Sequence, residues 1–197
     1  ITVNKHFVEL LKQVSSSHSF AKFYLEECNF DRSFDSEDKK RLLVILLSAK
    51  PLSIHLRVKS DVHFVDENFI VDYATAVSNP SLRIAGENLA IPLSGPLVDV
   101  LWRFDTLEIS LLISNTEALV SVIVKRLHLM RVGMWNLRIT ESIDQVQIDS
   151  VLLQNDELIH SDEFYGHVIA INGTNHNVIF TTEADGAGAF LLNARFL

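Results

Sequence analysis

Cysteine is all but missing from this 197-residue chain. Cys28 stands alone, so no disulfide can close within the chain and no cluster of thiolates can hold a metal. Its neighbours Glu26 and Glu27 oppose thiolate formation, which argues against a nucleophilic role. A single thiol leans toward a reducing compartment, though composition alone does not name one. Glycine is scarce as well, at seven residues, which leaves little for a glycine-rich phosphate cradle. GxGxxG, GxxxxGK[ST], GxSxG, HExxH, CxxC and EF-hand patterns are all absent from the sequence. The longest apolar run, Leu42 to Leu47, is far shorter than the ~18 residues a membrane-spanning helix needs. Ile1 to Phe7 lack the basic, apolar and small-residue order of a signal peptide.

What is present suits a folded globule. With 48% of residues hydrophobic and 21% charged, the chain sits near the averages for folded proteins and away from disorder. One domain over residues 1 to 197 is expected, large enough to bury roughly 70% of the surface its unfolded form exposes.

Charge is distributed unevenly. Residues 1 to 138 balance 16 basic against 16 acidic side chains, whereas 139 to 194 hold nine acids and no Lys or Arg. With Arg195, that segment accounts for the whole net charge of −8. Such a stretch repels nucleic acid and anionic lipid and favours a basic partner. Just upstream, Lys125, Arg126, His128, Arg131 and Arg138 supply the complementary sign.

Hydrophobic periodicity divides the chain near residue 50. Val3, Phe7, Leu10, Leu11 and Val14 recur at helical spacing and predict a first helix. Ser17 or Ser19 is placed to cap a second, carrying Phe20, Phe23, Tyr24 and Leu25. Asp35 or Ser36 caps a third, which Lys50-Pro51 ends. From Ser53 the period falls to two. Strands are expected around Ile54 to Val58, in hairpins over Val62 to Tyr73 (turning at Asp66-Glu67-Asn68) and Leu82 to Leu93, and over Leu107 to Ile113 and Leu119 to Val132. Gly133 is expected to mark a bulge. Further strands follow over Leu137 to Glu141, Val146 to Leu153, Tyr165 to Ile171, Val178 to Thr182 and Phe190 to Phe196. Asn172-Gly173-Thr174 matches the glycosylation acceptor pattern and also suits a hairpin turn. No internal repeat is evident. The expected fold class is α+β: about three N-terminal helices over residues 1 to 50, packed on a mostly antiparallel sheet, sandwich or open barrel of eight to ten strands over 51 to 197.

The densest group of titratable side chains is His160, Asp162, Glu163 and His167, whose spacing matches no recognised metal motif. No metal or other cofactor is expected, and catalytic residues are not indicated. The sequence predicts a non-enzymatic structural or interaction protein, acting by self-assembly or by docking on a protein partner. The missing signatures place a viral structural protein or an effector among the expected sources. Asp156, Glu157, Asp162 and Glu163 on one side and Lys125, Arg126 and Arg131 on the other are the expected interaction surface, with a homo-oligomer favoured and direct nucleic-acid binding not expected. A carrier of an apolar ligand in a helix-capped β cavity and an enzyme with a site scattered in sequence are the alternatives.

Overall fold

A computed structural model describes residues 2–58, 65–85, 90–129, 131–140, 150, 154, 158–163, 166–171, 174, 176–185 and 189–197. The fold is α+β, and no described helix is long and apolar enough to cross a membrane. Its contacts gather into two compact units, Ile1–Leu89 and Ala90–Leu197.

The first unit runs β1 (Thr2–Val3), α1 (Lys5–Ser17), β2 (Lys22–Phe30), α2 (Ser36–Ala49), β3 (Ser53–Val58), α3 (Glu67–Ala76) and β4 (Ser81–Ala85). Its strands pair in parallel, β1 with β2, β2 with β3 and β3 with β4. A helix between consecutive strands supplies the crossover that parallel pairing requires. Each helix begins on a side-chain cap: Asn4 accepts from Phe7 N at 3.0 Å, Asp35 from Glu37 N and Asp38 N at 2.9 Å, and Asp66 from Phe69 N at 2.9 Å.

In the second unit β5 (Ile91–Pro92), α4 (Gly95–Leu101), β6 (Thr106–Leu112), α5 (Thr116–His128) and β7 (Gly133–Ile139) continue the parallel pattern. Beyond residue 140 the topology changes. β8 (Leu158–Glu163), β9 (Gly166–Ile171), β10 (Asn177–Asp185) and β11 (Ala189–Phe196) are antiparallel, and β11 pairs with β7.

Several expectations are therefore corrected. Helices are not confined to the N-terminal third, and the strand pairing is parallel wherever a helix separates two strands. In place of the expected second helix, the chain from Lys22 onward is β2, where Phe23 and Leu25 are buried and Tyr24 is exposed, an alternation of period two. The hairpin expected at Asp66 is α3, because Asp66 caps a helix whose Phe69, Ile70, Tyr73 and Ala74 share one buried stripe. The strand expected over Leu119 to Val132 is α5. There Asn115 accepts from Glu117 N, and Leu119, Val120, Val122, Ile123 and Leu127 turn inward. Ile91 and Pro92 pair with β6. Gly133 opens β7, and no bulge separates its paired residues. Of the strand expected over 146–153 only residue 150 is described, and the Asn172-Gly173 turn lies outside the described residues.

Two of the parallel pairs also share a spacing that the sequence conceals. Ser53 stands against Ser81 and Thr106 against Met134, a step of 28 residues in both cases. At each step a pair of apolar residues turns inward: Ile54 and Leu56, Leu82 and Ile84, Leu107 and Ile109, Trp135 and Leu137, every one of them buried. Each such side chain contributes roughly 1.5–3 kcal/mol relative to exposure.

Candidate interaction surface

Alternation along β2, β3 and β4 sends every second side chain to one face of the sheet. On that face Phe23, Leu25, Ile54, Leu56, Leu82 and Ile84 are buried. Helices α1 and α2 pack on each other, as do α2 and α3. The opposite side chains face outward. Parallel sheets usually have both faces covered, so a parallel sheet with one outward-facing polar side is the distinctive surface of this unit.

Register sets those outward side chains in rows. Lys22, Ser53 and Ser81 form the first, Tyr24, His55 and Arg83 the second, and Glu26, Arg57 and Ala85 the third. In the middle row the rings of Tyr24 and His55 lie 5.5 Å apart at 53°, and Tyr24 keeps 57% of its surface exposed. Arg57 meets Glu26 at 3.8 Å, with more than half of each side chain in solvent. The β2 strand is irregular beyond Glu26: Glu27 has φ 51° and the pairing with β3 skips it. Cys28 then turns inward, where burial pushes its thiol pKa up and its Sγ donates to Glu26 O at 3.3 Å. This buried thiol is a packing group.

The expected interaction residues sit elsewhere. Lys125 is on the exposed side of α5 and meets Asp99 at 3.4 Å. Arg126 points the other way and has no exposed surface, so it cannot belong to an exposed basic patch. Its Nη2 donates to Asp105 Oδ1 and to Val132 O, both at 2.9 Å, and its Nη1 to Trp102 O at 3.2 Å. Burial lowers the Arg126 pKa and the Asp105 carboxylate opposes that shift, while nearby Arg131 adds to the lowering. Arg131 itself is exposed in the segment after α5. Asp162 and Glu163 end β8, with Asp162 opposite His167 and Glu163 opposite Gly166. Asp156 and Glu157 lie outside the described residues. His160 stands opposite Ile169 on the same hairpin, and no cluster of metal-binding side chains occurs among the described residues.

No family model, curated protein or solved structure matches this chain.

Local signals put Tyr24 on a helix and Arg83 in a hairpin, which conceals the rows of the first unit. The available signal was the recurrence of ΦxΦ pairs, Ile54-x-Leu56 and Leu82-x-Ile84, with polar residues between them. Trp135 is buried, its Nε1 donating to Phe104 O at 2.9 Å.

Proposed function

We propose that this chain is a non-enzymatic interaction module that docks on a protein partner through the outward strand face of Ile1–Leu89. The observation that carries the reading is the one-sided parallel sheet, whose rows offer an exposed Tyr24 beside His55 and Arg83. A rigid sheet fixes these side chains in register, and aromatic and arginine side chains on such a surface are typical binding anchors. Affinity capture tests this. Tyr24→Ala with Arg57→Ala should lose a set of partners that Lys40→Ala, on the exposed side of α2, retains. The same set captured by all three proteins refutes the reading.

Self-assembly is a second reading, favoured by β8. That strand ends the order of strands in the second unit, pairs only with β9 among the described residues, and carries Asp162 and Glu163. Edge strands are templates for pairing with another chain. Sedimentation at low and high salt tests it, using the native chain and one with Asp156, Glu157, Asp162 and Glu163 changed to amides. Association insensitive to both removes the electrostatic form of this reading.

A further inference from the structure

Which partner chemistry suits the outward face of the first unit follows from its charges, so the inference here rests on the docking reading above. We propose that this face takes an acidic segment of a partner protein, laid in extended form across β2, β3 and β4.

Three observations support it. First, sign: Lys22, Arg57 and Arg83 occupy the three rows, and Glu26 is the only acid among the nine outward positions. The first unit as a whole has 11 basic and 12 acidic residues, so this sheet face is basic on a unit that is not. Second, availability: the Arg57 and Glu26 pair is solvated on both sides at 3.8 Å, an arrangement worth little in stability. A partner carboxylate can therefore engage Arg57 without breaking a buried pair. Third, dimensions: strands are spaced about 4.8 Å apart, so the row from Tyr24 to Arg83 spans about 10 Å, the length of about three residues of extended chain. An extended segment crossing the strands can set one carboxylate near Arg57 and an apolar or aromatic group against Tyr24.

The same charges do not point to nucleic acid. Phosphate backbones are bound by an excess of Lys and Arg over the approaching surface, and this chain carries −8 overall. The long-range field of the molecule opposes a polyphosphate, while a short acidic segment needs only the local row.

The test is a titration of the full chain, followed by backbone amide resonances, with a short Glu-rich peptide containing one Tyr, a Lys-rich peptide of the same length, and a short single-stranded RNA. The acidic peptide should shift the amides of Tyr24, His55 and Arg83, bind more weakly as salt rises, and lose roughly tenfold or more in affinity in Arg57→Glu with Lys22→Glu. Both substitutions lie at exposed positions, and an unchanged melting temperature establishes that the variant is folded. Tighter binding of the Lys-rich peptide or of RNA overturns the proposal, as does acidic-peptide binding that ignores the charge reversal. If the acidic peptide fails to bind while Tyr24→Ala with Arg57→Ala still loses captured partners, the acidic inference falls and the docking reading stands. If those variants also capture everything the native chain does, both fall.

Discussion

Two strand–helix–strand segments, one in each unit, solve the same problem with different chemistry. In the first, β3-α3-β4, Tyr73 near the end of the helix donates its hydroxyl to Pro51 O at 2.8 Å and Ser81 O at 3.4 Å. In the second, β6-α5-β7, Arg126 near the end of its helix reaches Trp102 O, Asp105 and Val132 O. Both side chains are fully buried, and both tie the entrances of the two strands that their helix connects. The strands meet alike at that point, with Ser81 N donating to Leu52 O and Met134 N to Asp105 O, each at 2.9 Å. One unit closes the junction with a neutral hydroxyl, the other with an ion pair. The lesson is energetic: a hydroxyl that loses its partners costs little more than its bonds, whereas a buried cation that loses its counter-ion carries an uncompensated charge.

Removing that counter-ion should give the largest effect. Asp105→Ala leaves the Arg126 guanidinium without a counter-ion, beside the Trp102 and Val132 carbonyls and the Phe196 ring, and is expected to cost about 3–5 kcal/mol. Arg126→Met should cost less, because the Asp105 side chain left behind is 38% exposed and can be hydrated. Urea unfolding of the two variants measures the asymmetry. Equal losses would mean that the charge is not what makes this junction sensitive.

Next in size is Gly133. A Cβ there would meet Asp105 O at 2.6 Å and Arg126 Nη2 at 2.7 Å, and one of these contacts is backbone. Gly133→Ala should therefore cost about 1–3 kcal/mol as an overpacked junction. Gly95→Ala, with nothing within 4 Å of the added carbon, should be neutral or stabilise by up to about 1 kcal/mol. A thermal melt of both variants checks the contrast, and a neutral Gly133→Ala would show that the Arg126 junction gives way easily.

How much of this was legible in the sequence follows from the same segments. The cap at Asp35 and the helix α1 were readable because capping and 3.6-residue periodicity are local signals, but the stripe was not: α1 buries Val8, while Leu10 and Val14 are exposed and Val3 belongs to β1. β9, β10 and β11 were readable because period-two alternation is local too, whereas β8 lies over Leu158–Glu163, where the sequence predicts no strand. α3 and α5 were not readable either. Asp66 and Asn115 look like turn residues as much as caps, and the Val and Ile of α5 suit strands, so local propensity pointed to hairpins while burial on one stripe decided for helices. With α3 and α5 reading locally as strands, neither parallel pairing nor the 28-residue step is visible in the sequence. The binding rows went with them, since a row exists only where strands far apart in sequence stand in register. Arg126 was misplaced for a related reason: its sequence neighbours Lys125 and His128 suggest a basic patch, and only tertiary packing turns it inward.

On the neutral side of the comparison, Tyr73→Phe should cost about 1–1.5 kcal/mol at neutral pH, the net worth of a buried hydrogen bond. Burial pushes the Tyr73 phenol far above its ordinary pKa. The sign follows from linkage: with a folded-state value above the unfolded one, its contribution is fully present below about pH 10 and declines as pH rises beyond the unfolded pKa of about 10. Native stability should therefore fall more steeply than that of Tyr73→Phe above pH 10. Denaturant midpoints at pH 8 and above pH 10 measure this, and parallel slopes for the two proteins would place the alkaline sensitivity elsewhere.

The smallest effects sharpen the same contrast of charged against neutral groups, now with the units exchanged. α2 in the first unit is capped by a carboxylate, Asp35, in a capping box with Asp38, and α5 in the second by an amide, Asn115. The hydrogen bond from the Asp38 backbone, aided by that from Glu37 and the charge of Lys5, holds the Asp35 carboxyl below its ordinary pKa. A depressed folded-state value means that the cap's electrostatic contribution is present above the ordinary carboxylate range and is lost as pH falls through it. Asn115 has no proton to gain, so Asn115→Ala should cost about 1 kcal/mol at pH 7 and much the same at pH 4. Asp35→Asn should lie slightly below the native chain at neutral pH, where the charged cap also favours the helix dipole. The difference should shrink on acidification as the native carboxyl takes up its proton. Melting temperatures of the three proteins from pH 7 down to pH 3 test this. A difference between Asp35→Asn and the native chain that stays constant across the range would mean that Asp35 caps as a neutral acceptor does, and that its charge adds nothing to the helix.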